Sequence, residues 1–207
     1  PRGDEGELVV TPSQLETYFA NEAQPWEALT YTKLRFVAGD PHVARRVESV
    51  VETLFRKFAG ASNFAEEVRK MRRRLELASA PERSIRSAPG ALYDGDFLSG
   101  FLLVSNSVRP KAGTLRDRLW RCASVGILEK HDAATLDHAA ELCRTVEHIM
   151  RLVAGRKTRW LPAAEHPREA VEKLTSRILR REFADGLEQE LTRTFTTVRE
   201  IYERVVK

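Results

Sequence analysis

The sequence predicts a mainly α-helical fold, an antiparallel helical bundle preceded by a small β-containing segment. Three observations carry that prediction. Apolar residues recur every three or four positions through most of the chain after residue 41, the pattern of one buried helix face. Cap residues followed by proline open several of these stripes, and glycines close them. Alternating apolar character is confined to residues 8–11, which follow a glycine-rich turn at residues 3–6 and read as a short strand.

In chain order, Thr11-Pro12 starts a first helix with the stripe Leu15, Tyr18 and Phe19, and Pro25 ends that unit. The run through Trp26, Leu29, Leu34 and Val37 is ambiguous, because its spacing favours a helix while Thr30-Tyr31-Thr32 favours a strand. Asp40-Pro41 repeats the cap-and-proline signal and opens the stripe Val43, Val47, Val50, Leu54 and Phe58, which Gly60 breaks. Ser62 or Asn63 restarts a helix through Phe64, Val68, Met71 and Leu75. Residues 78–91, rich in Ala, Ser, Pro and Gly, are the longest stretch without periodicity and the expected functional loop. Phe97 to Val104 form the next helix, and Thr114 caps a short one that ends at Gly126. A long helix opens at Asp132 and ends before Gly155. His166-Pro167 opens a final stripe through Val171, Leu174, Ile178, Leu187, Leu191, Phe195, Val198 and Tyr202, which Gly186 divides in two.

With 42% hydrophobic and 31% charged residues, the composition is that of an ordinary folded chain. No stretch approaches the roughly 20 apolar residues of a membrane span. The opening residues show no apolar leader, and Cys122 and Cys143 read as small buried hydrophobes in a reducing compartment, so a cytoplasmic location is expected. The net charge of +4 permits an anionic partner, but most basic residues alternate with acids. The exception, Lys70-Met71-Arg72-Arg73-Arg74, would turn Met71 inward and scatter its charges over a helix surface, which argues against a nucleic-acid site. The five histidines have no metal-ligand spacing, and no metal site is expected. Asp4 and Glu5 read as exposed turn acids.

Two ordered sets of residues resemble a known family. Pro1, Gly3, Gly6 and Leu8, then Tyr18-Phe19, then Trp26-Glu27 followed directly by Ala28-Leu29, then Gly39-Asp40, form the first set. They are similar to the R-L-R-P-x-G-x-x-G-x-L stretch, the aromatic pair and the W-E-x-x-A-L segment closing with G-D of the glutamine synthetase adenylyltransferase/adenylyl-removing family of nucleotidyltransferases. The second set, Arg86-Ser87-Ala88-Pro89-Gly90-Ala91-Leu92-Tyr93-Asp94-Gly95-Asp96-Phe97, resembles the K-x-G-P-G-G-L-x-D-I-E-F segment that opens that family's helical domain. Arg86 stands for the lysine, Ala88 and Ala91 for glycines, Gly95 for an apolar residue and Asp96 for a glutamate.

The resemblance implies a boundary near residue 40, with residues 1–40 the C-terminal remnant of a nucleotidyltransferase domain and 41–207 a helical bundle domain. It implies a parent enzyme that uses ATP and magnesium to move AMP onto a tyrosine of glutamine synthetase, or that removes it. Glutamine synthetase and a nitrogen-regulatory protein would be the parent's partners. The metal-holding carboxylates would lie upstream of Pro1, so this chain is expected to be an inactive fragment with no cofactor and no catalytic residue of its own. Arg86, Gly90, Asp94 and Asp96 are the candidates to face a ligand. A basic group, a flexible Pro-Gly turn and two carboxylates at a helix start suit a phosphate-bearing ligand, although either aspartate could instead cap the helix. Two alternatives stand beside this reading. One is a uridylyltransferase relative, which lacks the W-E-x-x-A-L segment; the other is a non-catalytic helical interaction module with a lapsed nucleotidyltransferase site.

Overall fold

The computed structural model describes residues 9–79, 83–109 and 113–207. Among these residues the chain forms nine α-helices: α1 (Pro12–Asn21), α2 (Pro25–Tyr31), α3 (Pro41–Ala59), α4 (Phe64–Ser79), α5 (Leu92–Ser105), α6 (Leu115–Ser124), α7 (Lys130–Ala154), α8 (Glu165–Leu179) and α9 (Leu187–Val205). The mainly α expectation is met, and no strand occurs among the described residues. Val9 and Val10 of the expected strand form none, while Thr11 takes its expected place as N-cap (φ −75°, ψ 157°), its hydroxyl accepting from the Gln14 N–H. Residues 1–8, with the glycine turn, Asp4 and Glu5, lie outside the described residues.

Local chemistry sets most of the helix ends. Gln14 reaches back to the Thr11 N–H at 2.7 Å, completing a capping box. Glu27 does the same for α2, accepting from the Gln24 N–H at 2.8 Å, so Pro25 starts a helix rather than ending one. This cap, with proline at the first helical position, decides the ambiguous run after residue 25 in favour of helix as far as Tyr31. Asp40 caps α3 by accepting from the His42 N–H at 2.7 Å, and Thr114 with Asp117 caps α6. Gly126, Gly155 and Gly186 all sit at positive φ beside helix ends.

Helix α5 is the axis of the fold. Its apolar residues surround the whole circumference, which suits a helix buried on every side. It packs against α2, α3, α4, α6, α7 and α9. At Gly100 a side chain would press on Leu29, since a Cβ there would lie 3.1 Å from the Leu29 Cδ2. Two apolar clusters result. The first joins Phe19, Leu29, Leu54, Phe55, Leu98, Leu103 and Leu119 with Leu136 of α7 and Tyr202 of α9. The second gathers Ile85, Val146, Ile149 and Met150 around Val171, Leu187 and Leu191. Helices α7 and α9 each enter both clusters, and in opposite chain senses.

The segment before residue 40 is therefore built into the bundle. Phe19, Ala23, Ala28 and Leu29 are buried in the first cluster, whereas Trp26 remains 42% exposed. The Glu27 carboxylate accepts from the Tyr18 hydroxyl at 2.8 Å and ties α1 to α2. That bond to a carboxylate, with burial, pushes the Tyr18 hydroxyl up to about 12.

Two stripes are rotated from their expected faces. In α8 the buried residues are Val171 and Thr175, and Leu174 and Ile178 face outward. In α4 the series Phe64, Val68 and Arg72, spaced by four, points inward, while Leu75 is exposed. Arg72, expected on the surface, points inward in place of Met71 and Leu75 because a carboxylate awaits it.

Candidate functional site

That carboxylate stands at the start of α5, just after a tight turn. The Ser84 hydroxyl accepts from the N–H groups of Arg86 at 3.2 Å and Ser87 at 3.1 Å, curling the chain back on itself. The Ile85 N–H donates to the Arg159 carbonyl at 3.0 Å, and the Tyr93 N–H to the Arg86 carbonyl at 2.9 Å. Gly90 then adopts φ 76°, and a Cβ built on it would lie 1.8 Å from the Phe195 carbonyl oxygen. Glycine is required there by both conformation and space. Ala91 follows at φ −77°, where alanine is unstrained, so its replacement of a family glycine leaves the turn intact.

Asp94, in the first turn of α5, is fully buried. Its Oδ2 accepts from the Gly90 N–H at 2.8 Å, one residue before the N-cap, and from Arg199 at 3.2 Å. Its Oδ1 accepts from the Arg72 Nε at 2.6 Å. Arg72, 1% exposed, spends its remaining reach on the carbonyls of Ser87 at 3.1 Å and Ala88 at 2.9 Å. Glu76 completes the cluster, 2.6 Å from Arg199 and 3.4 Å from Arg72. Burial pushes the Asp94 carboxyl above its usual range, opposed by Arg72, the Gly90 N–H and Arg199. Arg72, Asp94 and Arg199 thus pin α4, the turn, α5 and α9 to one point.

Asp96 faces the other way. Its carboxylate meets the buried Arg118 of α6 and accepts from Lys33 at 2.5 Å, and its side chain is one-fifth exposed. Arg118 also donates to the Thr32 hydroxyl at 3.3 Å. Burial would raise the Asp96 carboxyl, but Arg118 and Lys33 outweigh it and hold the group below its usual range. A cavity of about 640 Å³ lies beside Lys33, lined also by Tyr31, Arg35, Glu48, Arg109 and Thr114; Asp96 reaches its edge only through Lys33.

Arg86 belongs to a third cluster. Its Nε and Nη2 grip the Glu147 carboxylate at 2.7 and 2.9 Å, a bidentate pair that Arg151 extends at 3.0 Å. Burial opposes ionisation of Glu147, yet Arg86 and Arg151 hold it low.

The four candidate residues are thus distributed over three clusters. Gly90 and Asp94 share one, Asp96 adjoins residues 32–33, and Arg86 packs on α7. Each carboxylate already faces two cations, so neither aspartate is suited to hold Mg²⁺. Among the described residues no group of three or more His, Cys, Asp or Glu could hold a metal ion. Sequence reasoning missed Arg72, Arg118 and Arg199. The available signal was an arginine four residues after a buried apolar position, in Phe64-Val68-Arg72, since such a residue needs a carboxylate partner. Both cysteines are buried and free, and burial pushes each thiol up to about 12.

Comparison with known proteins accounts for both sets of landmarks. A family model described as glutamate-ammonia ligase adenylyltransferase matches residues 1–50, and one described as GlnD PII-uridylyltransferase matches residues 61–206. The bifunctional glutamine synthetase adenylyltransferase/adenylyl-removing enzymes of Streptomyces avermitilis and Streptomyces coelicolor are each 31% identical to this chain over 212 residues, covering 99% of it and 21% of their own length. The enzyme of the same name from Nocardia farcinica is 32% identical over 79% of this chain and 17% of its own. The chain thus spans about a fifth of the length of the curated relatives it matches. With its opening segment and its helical bundle both matched in a single alignment, the chain belongs to the glutamine synthetase adenylyltransferase/adenylyl-removing family of nucleotidyltransferases.

Proposed function

We propose that this chain is the helical domain, with the closing stretch of the adjoining catalytic domain, of an enzyme that adenylylates or deadenylylates glutamine synthetase. The division is placed near residue 40, with the catalytic remnant before it and the helical domain over 41–207. The observation that supports this reading best is the junction of Asp96, Arg118, Thr32 and Lys33. It bolts residues matched by the adenylyltransferase model onto the bundle matched by the uridylyltransferase model. Of the four candidate residues, Asp96 is therefore the one assigned to face the catalytic domain. Arg86, Gly90 and Asp94 set the shape of the turn that carries it.

In the parent, ATP and Mg²⁺ would supply the nucleotidyl group and the charge neutralisation its transfer requires. The carboxylates that hold the metal are assigned to residues outside this chain, which alone would be inactive. Glutamine synthetase and a nitrogen-regulatory protein are the parent's proposed partners, and the cytoplasm its proposed location. Among the described residues no helix is long and apolar enough to cross a membrane. The saturation of Asp94 by Arg72, Arg199 and the Gly90 N–H favours a supporting role for the bundle, which keeps a purely non-catalytic interaction module as the second reading.

The test is a chimera of the Streptomyces coelicolor enzyme in which this chain replaces the aligned stretch. Retained AMP transfer to, or removal from, glutamine synthetase supports the proposal. A folded chimera inert in both directions, or an active one that Asp96→Asn leaves unchanged, contradicts it.

A further inference from the structure

The turn that holds Arg86 also closes one side of a cleft of about 240 Å³, whose other walls come from α4, α7 and the segment after α7. Three cations line it, Arg86, Lys157 and Arg159, together with the hydroxyl side chains of Ser84, Ser87, Tyr93 and Thr158. One carboxylate, Glu147, shares the lining, but its charge is answered twice, by the bidentate Arg86 and by Arg151. The positive charge of Lys157 has no carboxylate partner among the described residues. The Thr158 Oγ1 is buried without any hydrogen-bond partner. A hydroxyl taken out of water and left unmatched is a cost that a ligand oxygen would remove. A cation is repelled by this lining, and an apolar ligand leaves the Thr158 hydroxyl and the Lys157 ammonium unanswered. A compact group with several acceptor oxygens satisfies them.

We propose that this cleft binds a phosphate group, gripped by Lys157 and Arg159, with the Thr158 hydroxyl donating to one oxygen and Arg86 held at the rim by Glu147. The volume accommodates either free inorganic phosphate or the terminal phosphate of a nucleotide, and the chemistry is the same for both.

The experiment titrates the 207-residue chain with inorganic phosphate, and separately with ADP without magnesium, followed by amide chemical shifts. Saturable changes are expected at residues 84–87, 93 and 157–159. Lys157→Ala should weaken binding about tenfold, the equivalent of one charge-assisted hydrogen bond. Thr158→Val, nearly the same shape, should weaken it several-fold while leaving the thermal midpoint unchanged or higher. Saturation by phosphate and ADP alike means that the phosphate alone is recognised; saturation by ADP only means that the nucleotide is its source. The proposal is overturned if neither saturates at concentrations on the order of 10 mM. It is equally overturned if the shifts map elsewhere or if Lys157→Ala binds as tightly as the unaltered chain.

Discussion

Replacing Asp94 by alanine removes the closest carboxylate from an arginine that is 1% exposed. Arg72 would keep the carbonyls of Ser87 and Ala88 and the more distant Glu76, so the loss is partly cushioned. Breaking a buried ion pair by removing one partner costs about 3–5 kcal/mol, because an uncompensated charge is left behind. With Glu76 still 3.4 Å from Arg72, the low end applies, about 3 kcal/mol. For a chain of this length each kcal/mol moves the midpoint by about 2–4 °C, so thermal unfolding should fall by roughly 10 °C. Asp94→Asn should lie between, since an amide oxygen can still accept from the Gly90 N–H. The double variant Arg72→Met with Asp94→Ala should be more stable than Asp94→Ala alone, because the stranded charge is gone. Circular dichroism melts of the four proteins decide the matter. A midpoint for Asp94→Ala within about 2 °C of the unaltered chain would refute the clamp.

Three further outcomes follow from the same geometry. Gly90→Ala should cost on the order of 3 kcal/mol or abolish folding, as read from urea midpoints, because the new methyl would sit at positive φ and overlap the Phe195 carbonyl. Tyr18→Phe should cost about 1 kcal/mol and increase hydrogen exchange in α1 and α2, since the Glu27 oxygen loses its donor. Asp96 is held below its usual range in the fold, so its contribution is complete above the unfolded value near 4 and is lost as pH falls through the folded value. The stability difference between the unaltered chain and Asp96→Asn should therefore shrink below about pH 4, and a difference that grows on acidification would reverse the assignment.

What was legible in the sequence was mostly local. Thr11, Asp40 and Thr114 cap helices through bonds to residues two or three positions away, and Gly155 and Gly186 mark helix ends through their own backbone. The helix α2 was obscured by Thr30-Tyr31-Thr32, whose strand preference yields to the Gln24–Glu27 cap. What escaped was the identity of partners distant in the chain. Asp94 was recognisable as a carboxylate near a helix start, yet its partners lie 22 residues before it, at Arg72, and 105 after, at Arg199. Only folding brings them together, and their charge turned α4 so that Arg72 rather than Met71 and Leu75 points inward. Asp96 likewise was legible as a candidate, but its attachment to Lys33, 63 residues earlier, was not.

The proposal that this chain supports nucleotidyl transfer without performing it is tested most directly with labelled ATP. Purified chain, glutamine synthetase, Mg²⁺ and ATP labelled in the α-phosphate are incubated, and the radioactivity bound to glutamine synthetase is counted against a sample lacking the chain. The account predicts equal counts in the two samples, because the metal-holding carboxylates are assigned to residues outside this chain. Label on a tyrosine of glutamine synthetase, dependent on Mg²⁺ and on this chain, would contradict it.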